Sequence, residues 1–215
     1  MNNILFFTEI LIFMSVILMH LVKKQLSLVV LYTVQSVVAT LLLLASSMRD
    51  FSVNLLLVAV FIFVIKVIVA PYFFLRLIQK KQLHASTSSY LNIPFTLVVI
   101  TVLTALAHSH FSQALAFLAS SNGSVLLLAI ATILTSLFLI INQRSAISQM
   151  IGILSLENAI VSFAIVAGLE QTPGLQVGLA FDLLMWIIIA TVFLSMVYRQ
   201  FGTLDVGEMK HLKEE

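Results

Sequence analysis

Cysteine is absent from all 215 residues, which excludes disulfides, iron-sulfur ligation and thiolate zinc sites. Charge is scarce as well, with Asp, Glu, Lys and Arg together making up 9% of the chain. No basic patch lies outside short loops, so there is none for nucleic acid to grip. No nucleophile triad, phosphate loop or metal-ligand cluster can be read from the spacing, and the chain alone is not expected to catalyse redox chemistry. His108 and His110 are poorly spaced for two ligands on one helical face, which argues against a metal pair. The start, MNNILFFTEILIF, lacks a basic region and a small-residue cleavage site, so it reads as a spanning helix and not as a signal peptide.

What is there is apolar. Hydrophobic residues make up 61% of the chain and the mean hydropathy is +1.14, more apolar surface than a soluble domain can hide. A hydrocarbon core of roughly 30 Å needs about 20 apolar residues per helix. Seven such segments fit: Ile4 to Val22, Leu26 to Ala45, Val53 to Leu75, Ile93 to His108 or beyond, Val125 to Asn142, Ile147 to Gly168 and Val177 to Tyr198. No alternating strand pattern occurs, and backbone groups in lipid must be satisfied internally, so the expected fold is an all-α, polytopic membrane protein. The stretch Phe111 to Leu118 either extends the fourth span or lies along the interface.

Alternating loops would put Lys23, Lys24, Arg76, Lys80, Lys81, Arg144, Arg199, Lys210 and Lys213 on one side and Arg49 on the other, with Lys66 inside a span. That asymmetry predicts an outside N-terminus and a cytoplasmic C-terminus. The expected organisation is a four-helix region over 1–122, a three-helix region over 123–201 and a charged tail over 202–215, which is expected to dock on a cytoplasmic partner instead of folding alone.

The polar residues inside the spans carry the chemistry. They are Gln35, Lys66, Glu157, Asn158 and Asp182, with Glu9 and His20 nearer the ends of the first helix. A carboxylate at mid-bilayer costs roughly 2.5 to 3.5 kcal/mol to insert, so it calls for an explanation. Counting about 1.5 Å of rise per residue sets Gln35, Lys66 and Glu157 near the midplane and Asp182 about 8 Å inside the outer edge. They spread sideways across helices, which suits lateral proton transfer better than a self-contained pore. Burial disfavours the charged form of acid and base alike, so Lys66 beside Glu157 would form a protonation switch. The competing reading is a static ion pair of Lys66 with Glu157 or Asp182. Gln35 and Asn158 read as interhelical hydrogen bonders, and Glu9 and His20 as side chains reaching back to water. Pro71 removes a backbone donor five residues after Lys66 and predicts a kink or loosened turn there.

Several motifs carry a family resemblance: Gln35-Ser36, Lys66 with Pro71, Asn142-Gln143-Arg144, Gln149 to Gly152, Leu156-Glu157-Asn158, Gly178-x-Ala180-x-Asp182, and Gly202 to Val206 before Leu212-Lys213. The chain resembles the hydrogenase-4 component E family of membrane proteins. That family is related to a small three-helix membrane subunit of respiratory complex I and to its small counterpart in multisubunit sodium/proton antiporters. The likeness runs across nearly the whole chain and is densest from Gln143 to Val206. It implies a proton-translocating membrane arm attached to a nickel-iron hydrogenase module, with antiporter-like membrane subunits as neighbours and no cofactor of its own. Glu157 and Asp182 would stand for the two buried acids of the small complex I protein, the second with Asp in place of Glu. Alignment on the shared Asn158-Ala159 pair would put the first acid at Leu154, on the same side of the helix. The first four helices have no counterpart in that small protein.

Overall fold

The computed structural model describes residues 2–49, 53–80, 89–114 and 123–169, together with the single helical residues Phe181, Ile188, Val192, Ser195, Met196, Arg199 and Gln200. The described residues are helical apart from short connections. In order they form α1 (Asn2–Leu21), α2 (Gln25–Arg49), a composite third span, α5 (Ile93–Ala114), α6 (Gly123–Asn142) and α7 (Ala146–Val166). The third span is α3 (Val53–Phe63), a π-helical turn over Val64–Val69, and α4 (Ala70–Lys80). Among the described residues, four helices are long and apolar enough to cross a membrane: Gln25–Ser46, Leu56–Ile78, Gly123–Asn142 and Ala146–Val166. Leu5–Leu21 and Ile93–Ser109 are shorter apolar helices. This is an all-helical membrane protein. The α5 helix runs on to Ala114, so the residues after His108 continue it at least that far.

The helices form a diamond with two flanks. Helix α1 packs on α2 and α6, α2 packs on α7, and α6 packs on α7, while the third span leans on α2 and α5 leans on α6. Packing therefore crosses the point at residue 122 where the two halves of the sequence meet. The α6–α7 crossing is close because Gly152 permits it: a Cβ there would stand 2.9 Å from Ile140 Cγ1 and 3.3 Å from the Ile140 backbone nitrogen. The core gathers Met19, Leu28, Tyr32, Ile62, Ile65, Phe74, Leu139, Ile147 and Ile151. Phe7, Val30, Leu57, Ile68, Phe95 and Ile141 are exposed. Apolar side chains outside as well as inside are what a helix bundle in hydrocarbon requires.

One end of the bundle is tied by polar connections. Three residues, Val22 to Lys24, join α1 to α2, and Gln143 to Ser145 join α6 to α7. Gln25 Nε2 donates to Ser145 Oγ at 3.0 Å and Gln149 Nε2 to the Gln143 carbonyl at 2.8 Å. The strand-like bridge between Ser89 and Gln143 brings in the segment before α5, where the Tyr90 and Leu91 N–H groups donate to the Asn142 carbonyl at 2.9 Å and to its Oδ1 at 3.0 Å. The Arg144 guanidinium stacks 4.8 Å over the Tyr90 ring. Basic loop residues Lys23, Lys24 and Arg144 thus share one end. At the other end, α7 stops at Gly168, whose φ of +69° suits glycine. The Gly168 N–H donates to Ile165 and the Leu169 N–H to Ala164, the paired bonds that close a helix C-terminus.

Candidate functional site

Lys66 is 3% exposed, deep in the third span, and its Nζ lies 3.0 Å from Glu157 Oε1 on α7. It also donates to Asn158 Oδ1 at 2.9 Å. Asn158 in turn donates from Nδ2 to Ser36 Oγ on α2 at 2.9 Å. Lysine, glutamate, asparagine and serine therefore connect three helices in one chain of contacts. An ammonium with three donors and no acceptor needs such oxygens when taken out of water. Tyr32, one turn before Ser36, is fully buried beside its hydroxyl. Glu157, one of the two acids expected as partners for Lys66, stands beside it, and its side chain keeps 23% exposure. Leu154, the alternative alignment position, is 6% exposed and belongs to the hydrophobic core. Asp182 lies outside the described residues.

The local backbone explains how the lysine is presented. Residues Val64–Val69 adopt a π-helix, and the Ala70 N–H donates to Ile65 O, five residues back instead of four. In that widened register residue 71 would serve the Lys66 carbonyl, but Pro71 has no N–H. Five of the six residues in the turn are Val or Ile, whose branched side chains crowd a tight helix. The loosened turn expected from Pro71 is present, with Lys66 inside it. Single π turns recur at functional sites because they displace one side chain from the regular helical face.

Gln35 and Asn158 behave differently. Asn158 is the interhelical hydrogen bonder expected of it. Gln35 is 0% exposed, yet neither its Oε1 nor its Nε2 has a hydrogen-bond partner among the described residues. It neighbours Ser36 in sequence and lies on α2 next to the lysine chain.

A second polar group was missed by counting residues from the helix ends. Glu9 and His20 do not reach back to water, because Glu9 is 0% exposed and His20 5% exposed. Glu9 lies 3.2 Å from Thr132 Oγ1 on α6 and accepts a hydrogen bond from Ser162 Oγ on α7. His20 Nε2 is 3.1 Å from the Thr135 carbonyl, and the ring stacks on Phe138 with centroids 5.0 Å apart. The available signal was angular. Eleven residues at 100° each bring Glu9 and His20 back to within about 20° of one face, the face that also carries the buried Ile12, Val16 and Met19.

On α7 the two groups are neighbours. Ser162 and Asn158 are four residues apart, about 6 Å along the axis, and both are fully buried. Ser155, buried on the same helix, lies 3.4 Å from Ser136 of α6. Among the described residues no group of three or more His, Cys, Asp or Glu side chains is placed to hold a metal ion. No family model matches the chain, and no curated protein or solved structure matches it either.

Proposed function

We propose that this chain is a non-catalytic, proton-translocating subunit in the membrane arm of a complex I-like, group 4 nickel-iron hydrogenase of the hydrogenase-4 or formate hydrogenlyase type. In this reading it has about seven spans in the bacterial inner membrane, with the N-terminus outside and the C-terminus cytoplasmic. Antiporter-like membrane subunits and a hydrogenase or related redox module are its partners. The observation that carries the reading is the Lys66–Glu157 pair, held between a π turn and α7 in a bilayer-spanning bundle. Ionisable residues at such depth mark ion paths by default.

The mechanism follows from the contacts. Lys66 stands 3.0 Å from Glu157 and supplies the cation that balances a carboxylate there. A π turn can revert to α register by losing one residue's advance, which rotates the side chains beyond it by about 100°. Withdrawal of Lys66 leaves Glu157 without its cation, and the acid takes up a proton; the return of Lys66 expels it. Asn158 and Ser36 bridge this site to α2, and Asp182 is the acid that would receive the proton on the next span. Moving one charge through 100 mV takes about 2.3 kcal/mol, which redox partners must supply.

A second reading is favoured by one feature: the third span leans on α2, and its ion pair reaches across to α7. Such a tie suits a structural scaffold that holds antiporter-like subunits, in this complex or in a related respiratory complex without hydrogenase activity. The two readings part on Glu157→Gln in the whole complex. Normal native mass with diminished proton pumping supports translocation, whereas loss of subunits from the purified complex supports the scaffold. Normal mass with undiminished pumping removes Glu157 from the path.

A further inference from the structure

The Glu9 group obeys a different hydrogen-bond arithmetic from the lysine site. Thr132 Oγ1 lies 2.8 Å from the Leu128 carbonyl, one turn back on its own helix, and 3.2 Å from Glu9 Oε1. A hydroxyl has one proton to give. The shorter contact to a carbonyl, which can only accept, takes that proton. The remaining contact then joins two oxygens, Thr132 Oγ1 and Glu9 Oε1, with no hydrogen between them unless the carboxyl supplies it. Ser162 Oγ lies close against the other carboxyl oxygen, Oε2, and donates to it. One donated and one accepted hydrogen bond is the pattern of a carboxylic acid, not of a carboxylate.

The surroundings agree. Among the described residues no Lys or Arg makes an ion pair with Glu9, and Lys66 is engaged by Glu157 and Asn158. Helix α6 carries no titratable residue and offers Thr132; α7 offers Ser162, and its one titratable residue, Glu157, faces Lys66. On α2 the titratable residue whose side chain is described is Tyr32, beside Ser36. From α5, exposed His108 borders a groove of about 450 Å³ with Phe13 and Ile17 of α1. On α1 itself, His20 is engaged with Thr135. A fully buried carboxylate with no cation carries an uncompensated charge, which costs far more than a satisfied neutral acid.

We propose that Glu9 is a second, cation-free proton-binding site, holding its proton as a carboxylic acid between α6 and α7 and exchanging it with water. Binding adds one proton to the carboxylate oxygen facing Thr132; release returns it to water, and no electrons move. The assignment does not rest on the role given to Lys66 and Glu157.

The test is infrared spectroscopy of the full-length protein in lipid vesicles, following the C=O stretch of a protonated carboxyl at neutral pH. The band is expected in the wild type and in Glu157→Gln, and absent in Glu9→Gln, where the amide keeps the shape of the neutral acid. It should shift in heavy water and disappear as pH is raised. Ser162→Ala, which removes one hydrogen bond without touching the carboxyl, should move the band without abolishing it. A spectrum with no Glu9-dependent band overturns the proposal. So does a band that resists both heavy water and alkali, which would mark a sealed structural acid, or one that sodium abolishes at fixed pH, which would mark a metal-cation site. Unchanged proton pumping in Glu157→Gln sinks the earlier reading and leaves this one standing.

Discussion

The bundle holds two acids between its helices, one on α1 and one on α7, and they are satisfied by opposite means. Glu157 faces an ammonium at 3.0 Å and keeps 23% exposure; Glu9 is buried at 0% exposure and faces two hydroxyls. The first arrangement sets a cation against an acid and so balances charge with charge. The second avoids charge, so its proton content depends on water and pH. Depth in the sequence does not separate the two cases. The neighbours on adjoining helices do.

The largest effect that tests this contrast comes from removing the cation. Lys66→Ala leaves Glu157 without its counter-ion and Asn158 Oδ1 without its donor. Breaking a buried pair from one side costs about 3–5 kcal/mol, and the partial exposure of Glu157 places the expected loss at the lower end. Thermal unfolding in detergent checks it. The double variant Lys66→Ala with Glu157→Gln should recover much of the loss, because no uncompensated charge remains; additive losses would mean the pair is not coupled. Glu157→Gln alone comes next. It leaves Lys66 with Asn158 as its remaining described partner, and a charge-assisted hydrogen bond is worth about 1.5–3 kcal/mol. A Glu157→Gln protein as stable as the wild type would show that water reaches Lys66 well enough to replace the carboxylate.

How far these sites were legible in the sequence depends on whether their causes are local. The helices follow from apolar runs of about 20 residues, because in hydrocarbon the backbone has few other ways to satisfy itself. The loosened turn at Lys66 was legible because Pro71 acts on its own helix, and Asn158 was legible as a bridging amide. Glu9 was not. Its position near one end of α1 suggested a route to water, but the rotation of α1 about its axis turns that face towards α6 and α7. Rotation is set by side-chain fit with neighbours far away in sequence, such as Ser162, 153 residues on. The sequence of α2 suggests a hydrogen bonder at Gln35, which is buried with no protein partner among the described residues, a fact about its neighbours that its own segment does not encode. The π turn, too, was foreseen only as a loosening, since the choice between a kink and a widened register depends on packing against α2.

The two smallest effects fall on the cation-free acid, and they sharpen the comparison most. Ser162→Ala removes the hydroxyl that donates to Glu9 Oε2 from between two closely packed helices, and a neutral buried hydrogen bond is worth about 0.5–1.5 kcal/mol. At about pH 4, where the unfolded chain's carboxyl is largely protonated as well, Glu9→Gln should cost less than about 0.5 kcal/mol, within the range of a benign substitution. The amide NH2 takes the place of the acid O–H towards Thr132 Oγ1, and the amide oxygen accepts from Ser162 as the carboxyl does. The same Glu-to-Gln change is therefore expected to be costly at position 157 and nearly silent at position 9. If Glu9 were ionised in the folded protein, no proton would be taken up on folding, and the stability difference between Glu9→Gln and the wild type would not change between about pH 5 and pH 7. If Glu9 holds its proton, the wild type must bind one on folding and the variant gains steadily on it over that range. Thermal unfolding of the two proteins in one detergent across that range decides the protonation of Glu9 by the slope of their difference.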